Sequence, residues 1–380
     1  MSGASFARVL LAGVSVRALA ESAARAGCEV IAIDAYGDLD LRRVAHTVAA
    51  ERDAAGRVDA DAVARASHRV LADAVAYVSN FENSPAAVAI LARGRTLLGN
   101  APAVLERVRD PIALARALAR LGLQTPAVRA SAPRGTDATR WLLKPRHSGG
   151  GHGIVRWSRG MRVPRTSIVQ ERVRGVPGSI VFVANGTHAV PLALTRQLAG
   201  DPAFGAHGFA YCGSILEPHH PSLLARAMEL ARGVTREFGL RGVCGVDFIA
   251  RDAVPYAIEV NPRPTASMEL VERATGSSIW LAHAAGCTGA VLAPVPLAAH
   301  AEGKAVLYAR RTVVLGDTTR WLADPDVRDV PAPGERITRG SPICTIFARE
   351  RTSARCYAAL VRRARIRFAE VEGRMHRRSA

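Results

Sequence analysis

Gly245-Val246-Asp247-Phe248-Ile249-Ala250 and Tyr256-Ala257-Ile258-Glu259-Val260-Asn261-Pro262-Arg263-Pro264 are two largely apolar runs joined by Arg251-Asp252-Ala253-Val254-Pro255, a segment with turn chemistry. Side chains alternate between faces along an extended chain. An antiparallel hairpin therefore sets Asp247 and Glu259 side by side and puts Asn261, two residues on, on the face of Glu259. A lone carboxylate in a strand is ordinarily a solvated charge. Two carboxylates and an amide oxygen on one face, running into Pro262-Arg263, are instead the hard oxygen donors that Mg²⁺ shares with substrate phosphates.

Upstream stands Leu143-Lys144-Pro145-Arg146-His147-Ser148-Gly149-Gly150-Gly151-His152-Gly153-Ile154. A lysine closing an apolar strand, followed by a flexible glycine loop, places an ammonium beside anionic oxygens while exposed backbone N–H groups wrap the same phosphates. The GxxxxGK[ST] pattern is not met, because here the lysine precedes the glycines. Only two of the 51 basic residues are lysine, Lys144 and Lys304. A compact ammonium kept in an arginine-rich chain points to a need for a point charge. Between loop and hairpin, Ile168-Val169-Gln170-Glu171-Arg172-Val173-Arg174-Gly175 is an apolar strand that turns polar at Gln170-Glu171. There a strand edge and a carboxylate can pair with a nucleobase.

Further out, Arg8 to Gly13, the helical stretch around Val16 to Ala20, and Glu29 to Asp34 parse as strand, helix, strand, with a third strand at Ala74 to Val78 followed by the Asn80-Phe81-Glu82-Asn83 loop. Gly13 and Ser15 stand at the nucleotide-binding turn, but GxGxxG is absent, so a Rossmann-like domain without a dinucleotide site is expected. A helix is expected from Arg107 to Leu121. Hairpin-rich α+β structure follows to Pro262, with a helix from Pro221 to Phe238. Short strands and a basic helix from Ser353 to Glu370 complete the chain. The expected division is residues 1–100, 101–300 and 301–380.

The net charge of +18 over 380 residues favours acidic partners. The arginines are dispersed from Arg8 to Arg378 and aromatic residues make up 5%, so the interleaved array of a nucleic-acid surface is missing. Cys28, Cys212, Cys244, Cys287, Cys344 and Cys356 form no CxxC or metal-ligand spacing and read as reduced thiols. With no leader pattern and no long apolar span, the expectation is a cytoplasmic protein.

In this order the lysine–glycine loop, the Gln-Glu-x-Val-x-Gly segment and the Asp…Glu-x-Asn-Pro-Arg hairpin resemble an ATP-grasp ligase over roughly residues 100 to 280, and the N-terminal segments resemble a pre-ATP-grasp domain. The nearest likeness is to carboxylate-amine ligases of the tyramine-glutamate ligase type, which serve methanofuran-type cofactor biosynthesis. The resemblance implies an α/β and α+β ATP-grasp fold with a small C-terminal β-rich region. It also implies ATP and Mg²⁺ (or Mn²⁺) as cofactors, and small-molecule carboxylate and amine substrates joined through an acyl phosphate. By that resemblance Lys144 holds the α- and β-phosphates, Ser148, Gly149, Gly150, Gly151 and Gly153 close over the β- and γ-phosphates, and Gln170, Glu171, Arg172 and Val173 read adenine. Asp247, Glu259 and Asn261 hold the metal, and Arg263 with Lys144 serves the transferring phosphoryl group. Related enzymes often carry a lysine near the helix start at Arg109-Asp110, so either Arg109 substitutes or the contact is lost. The usual ribose carboxylate is absent at Pro177-Gly178-Ser179. Acceptor contacts are expected from Arg196 or from Thr265, Ser267 and Glu269, whereas His147, His152, His219 and His220 read as surface polar groups. A bicarbonate-activating carboxylase and a basic nucleic-acid-binding protein are the alternatives. No specific nucleic acid and no membrane are expected as partners, and a homodimer is left open.

Overall fold

A computed structural model of the chain describes residues 6–53, 58–133, 138–217, 220–294, 296 and 298–373. The N-terminal pattern folds as a parallel five-stranded sheet ordered β3-β2-β1-β4-β5, from β1 (Arg8–Gly13), β2 (Glu29–Asp34), β3 (His46–Thr47), β4 (Ala74–Tyr77) and β5 (Thr96–Leu98). Helices α1 (Arg17–Arg25), α2 (Ala60–Ser67) and α3 (Pro85–Leu91) connect these strands. Their near-continuous apolar burial is what a parallel strand covered on both faces requires.

The helix expected over 107–121 is broken in two, α4 (Pro102–Val108) and α5 (Pro111–Arg120). The side chain of Asp110 accepts the N–H groups of Ile112 and Ala113, and Pro111 takes the first helical position, so a new helix starts there. The break frees Arg109 to turn inward. A small antiparallel sheet, β6-β9-β7-β8, comes next, built from β6 (Val128–Arg129), β7 (Trp141–Pro145), β8 (Val155–Arg156) and β9 (Ser167–Glu171).

The largest sheet runs β14-β13-β10-β11-β12-β15-β19-β17. Its strands are β10 (Val176–Asn185), β11 (Ala189–Ala199), β12 (Tyr211–Leu216), β13 (Arg241–Arg251), β14 (Val254–Asn261), β15 (Ala301–Tyr308), β17 (Val327–Arg328) and β19 (Pro342–Glu350). A two-stranded ribbon pairs β16 (Val313–Val314) with β18 (Arg336–Ile337). The C-terminal strands thus continue the large sheet, because β15 pairs with β12. Helix α6 (Pro221–Phe238) buries Leu230, Val234 and Phe238 with Ile180, Phe182, Val246 and Phe248 on one face of the sheet. Beneath the other face, α7 (Met268–Thr275) and α8 (Ile279–Thr288) share with α1 a core that also holds β1 residues Val9 and Leu11, so the two large sheets lean on a common apolar layer. Helix α9 (Ser353–Gly373) covers β15 and β19. The expected basic tail reaches past residue 373, and that part lies outside the described residues.

Candidate active site

The β13–β14 hairpin closes through Asp252 and Ala253, both at positive φ (52° and 58°), the geometry of a tight two-residue hairpin turn. Its register sets Asp247 opposite Glu259 and Gly245 opposite Asn261. Glu259 sits between two cations: Lys144 Nζ donates to one carboxylate oxygen at 3.1 Å and Arg109 donates to the other. Burial opposes ionisation of Glu259, yet Lys144 and Arg109 outweigh it and hold the carboxyl at about 2. For Asp247 the balance reverses. Burial and then the facing Glu259 push its carboxyl upward, against hydrogen bonds from neighbours that include Asn261. Gln197 donates to one Asp247 oxygen at 2.8 Å and Asn261 to the other at 3.0 Å. Two facing half-buried carboxylates, one of them resisting its charge, form a face that a divalent cation would relieve. Among the described residues no group of three or more His, Cys, Asp or Glu side chains converges to hold a metal by itself. Two carboxylates plus an amide fit a cation whose remaining ligands are phosphate oxygens.

Arg109 and Arg263 are both buried, and both are held from the N-terminal domain. Arg109 donates to Asn83 Oδ1 at 3.0 and 3.1 Å, to the Ser148 carbonyl at 3.0 Å and to the Val260 carbonyl at 3.1 Å. Arg263 donates to Glu82 at 2.7 Å and to Asn261 Oδ1 at 3.2 Å. The Asn80-Phe81-Glu82-Asn83 loop therefore orients two cations of the site, a role its sequence did not disclose although the loop itself stood out. The glycine loop folds down over this cluster. Gly151 has φ +78°, and a Cβ there would lie 1.9 Å from the Phe209 carbonyl oxygen; the Tyr211 N–H donates to the Gly150 carbonyl at 2.9 Å. A small cleft between the β7–β9 sheet and β14 has Arg109, Lys144, Arg146, Ser148, Ile168 and Glu259 among its lining.

Other sequence candidates are placed less directly. Gln170 is buried within β9. The Glu171 carboxylate accepts the Ala127 N–H at 3.3 Å and an Arg140 N–H at 2.8 Å, and the Arg172 N–H donates to the Arg140 carbonyl. Val173 lies two residues beyond that strand. Arg196 lies 3.9 Å from Glu217 and over the Tyr357 ring, while its neighbour Gln197 is the one that reaches Asp247. His147 and His152 stay on the glycine loop, His220 precedes α6, and His219 lies outside the described residues. The six cysteines are free thiols, four of them buried. No described helix is long and apolar enough to cross a membrane.

Thr265 lines a second, larger cavity of ≈ 250 Å³, whose wall runs from Ser15 and Arg17 through Tyr36 and Asp38 to Lys304 and Tyr308. Ser267 shares a hydrogen bond with Thr265, and Glu269 accepts Lys304 Nζ at 2.8 Å and pairs with the buried Arg17. Both lysines of the chain thus lie beside a cavity and each meets a glutamate.

Residues 108–267 match the model of the ATP-grasp domain family. An uncharacterised protein of Methanocaldococcus jannaschii is 24% identical over 185 residues, which cover 48% of this chain and 42% of that protein, so the match spans less than half the length of this relative. Among solved structures, the biotin carboxylase of Campylobacter jejuni in complex with β,γ-ATP superposes with a TM-score of 0.69 at 13% identity, covering 93% of this chain and 90% of that one. The L-amino acid ligase of Bacillus licheniformis does so with a TM-score of 0.69 at 16% identity, covering 94% and 96%. With its parallel N-terminal sheet, its small sheet bearing Lys144 and its large antiparallel sheet bearing Asp247 and Glu259, the chain has the ATP-grasp fold, and residues 108–267 are the part of it that matches the ATP-grasp domain model.

Proposed function

We propose that this protein is an ATP-dependent ligase that joins a carboxylate to an amine through an acyl phosphate. The observation that carries the reading is the convergence of Lys144, Arg109 and Arg263 on the strand face of Asp247, Glu259 and Asn261, beneath a glycine loop. In this reading Lys144 and the N–H groups from Ser148 to Gly153 receive the phosphates, Arg109 stands in for the second phosphate-binding lysine, and the end of β9 with the residues after it, Gln170 to Val173, borders the base. Asp247, Glu259 and Asn261 would hold Mg²⁺, which supplies charge neutralisation of the phosphates when bound. The acid's carboxylate oxygen attacks the γ-phosphorus and ADP departs. The amine then displaces phosphate from the acyl carbon, giving the amide and releasing a proton. Arg263 would stabilise the phosphoryl group in transfer. Such chemistry needs positioning and charge rather than a covalent nucleophile, and the buried cysteines offer none: burial first of all holds Cys212 up at about 11 and Cys244 up at about 12.

The subfamily is part of the proposal: the motifs stand nearest the tyramine-glutamate type of ligase, with its place in cofactor biosynthesis. ADP release by the purified protein, measured with ATP and Mg²⁺ across pools of carboxylic acids and amines, tests the reading. Release that requires one acid and one amine together supports it. Release driven by bicarbonate without an amine would favour a carboxylase, and sequence-selective nanomolar DNA binding at physiological salt would overturn the enzyme reading.

A further inference from the structure

We propose that the outer face of the small sheet β6-β9-β7-β8 is a docking surface for an acidic segment of a partner protein, held by Arg159, Arg162 and Arg165. Residues 138–170 carry seven basic side chains and no aspartate or glutamate, in a chain that has 33 acidic residues elsewhere. Like charge gathered in this way repels itself and weakens a compact fold. The strain falls on a part of the molecule with little core, a cluster of Trp141, Trp157 and Val169 with Leu143, Met161 and Val163 among the side chains packed against it.

The two faces of the sheet divide the cations. Lys144 stands opposite Ile168 in the register, and both line the cleft described above, so theirs is the inner face. Trp141, Leu143 and Val169 alternate with them and point the other way, into the apolar cluster. The loop from Trp157 to Thr166 covers that outer face. Trp157 fastens it: the ring is 6% exposed and its indole N–H donates to the Met161 carbonyl at 3.3 Å, while the Met161 N–H donates to the Ser158 carbonyl at 3.1 Å. With Trp157, Met161 and Val163 turned in, Arg159, Arg162 and Arg165 are turned out. All three are exposed, and none of their guanidinium groups has a hydrogen bond or ion pair among the described residues. The acid that follows this run, Glu171, is taken by Arg140 at 2.8 Å. A nucleotide held by Lys144, as in the functional reading above, lies across the sheet from these arginines and leaves them unneutralised. Their matching anion is therefore another molecule.

Its kind follows from what stands between the arginines. Guanidinium groups take carboxylates and phosphates alike. A single nucleic-acid strand also stacks its bases on exposed aromatic rings, and both tryptophans of this face are buried. The surface offers apolar groups without rings instead: Val155 is 45% exposed, Pro164 is exposed, and Met161 and Val163 are half-buried. Apolar groups rimmed by arginine match the composition of a protein interface. Because the loop is fastened before any partner arrives, little ordering entropy opposes docking.

Fluorescence anisotropy with the full chain, without nucleotide and at about 0.15 M salt, tests the surface with two labelled probes. One is a peptide of about twelve residues, long enough to span the loop, made of glutamate with leucine at every third position; the other is a DNA duplex of similar length. We expect the peptide to bind with a micromolar Kd and to weaken about tenfold or more when Arg159→Glu, Arg162→Glu and Arg165→Glu are combined. The combination Arg351→Glu, Arg355→Glu and Arg362→Glu, on the exposed side of α9, changes the net charge equally and should weaken the peptide less than about twofold. The melting temperature of the loop variant should be no lower than that of the parent, since repulsion is relieved; should the reversal fail to fold, the combination of Arg159→Gln, Arg162→Gln and Arg165→Gln reads the same loss. No binding of the peptide at millimolar concentration, equal loss in the two charge-reversed variants, or tighter binding of the duplex than of the peptide would each overturn the proposal. Peptide held by these arginines in a protein that releases no ADP with any acid and amine would overturn the ligase reading and leave the surface standing.

Discussion

Glu259 is the residue on which the candidate active site balances, since its two oxygens are shared between Lys144 and Arg109 while Asp247 faces it across the hairpin. Its carboxyl lies at about 2 when folded against 4.5 as the ordinary value. A depressed carboxylate stabilises the fold fully above the ordinary value, and that contribution fades as the pH falls from 4.5 towards about 2. Glu259→Gln should therefore lose about 3 kcal/mol at neutral pH, the scale of breaking a buried ion pair. The gap to the parent should narrow below pH 4.5 in urea titrations run at several pH values; a gap constant down to pH 3, about one unit above the folded value, would contradict the assignment. In turnover, the same substitution should cost about two orders of magnitude or more, with ATP affinity changed far less. Lys144→Ala should weaken ATP binding by roughly 1.5 to 3 kcal/mol. Calorimetry with ATP reads this directly, and unchanged affinity would remove Lys144 from the phosphate site.

At the scale of elements, the glycine loop and the α4–α5 break do complementary work. The break at Arg109-Asp110 aims a guanidinium into the site, and the loop brings the Ser148 carbonyl to it. Gly151 allows the loop to lie against the segment entering β12, because its φ of +78° and the nearby Phe209 carbonyl leave no room for a Cβ. Left-handed backbone costs an ordinary L-residue about 1–2 kcal/mol before any clash. Gly151→Ala should thus lift the loop and reduce kcat/KM for ATP by about tenfold or more, with a melting temperature close to the parent, since the loop carries little buried surface. Parent-like kinetics in Gly151→Ala would mean that the loop does not close over nucleotide.

Over the whole molecule, buried ion pairs tie segments that lie far apart in the chain. Arg17, at the start of α1, joins Glu269 of α7 and Asp329 beyond β17, and Arg263 after β14 joins Glu82 in the N-terminal domain. Removing one partner of such a network strands buried charge. Arg17→Ala should therefore lose about 3–5 kcal/mol of unfolding free energy and fall in melting temperature, because Glu269 and Asp329 would be left facing one another. A loss under about 1 kcal/mol in urea unfolding, the value typical of an exposed ion pair, would show that the network is solvated rather than structural.

What the sequence determined by itself was local. Alternation along two short runs and a turn between them were enough to set Asp247 against Glu259, and a lysine followed by glycines was enough to mark the loop, since strand period and glycine's backbone freedom act over a few residues. The same holds for the parallel N-terminal sheet, written in buried apolar runs. Local pattern misled at Arg109-Asp110, where an even helical periodicity hid a cap and a proline. It was silent at β11, whose Pro191 sits where the register with β10 shifts, a place where a proline survives within a sheet. The tertiary structure alone decided that residues 301–350 extend the large sheet, that Glu82 and Asn83 steer Arg263 and Arg109, and that Lys304, Arg17, Asp329 and Asp38 meet around one cavity. Arg17 and Asp329 stand 312 positions apart. The charge state of such a cluster depends on which groups are buried together, and no short window of sequence records that.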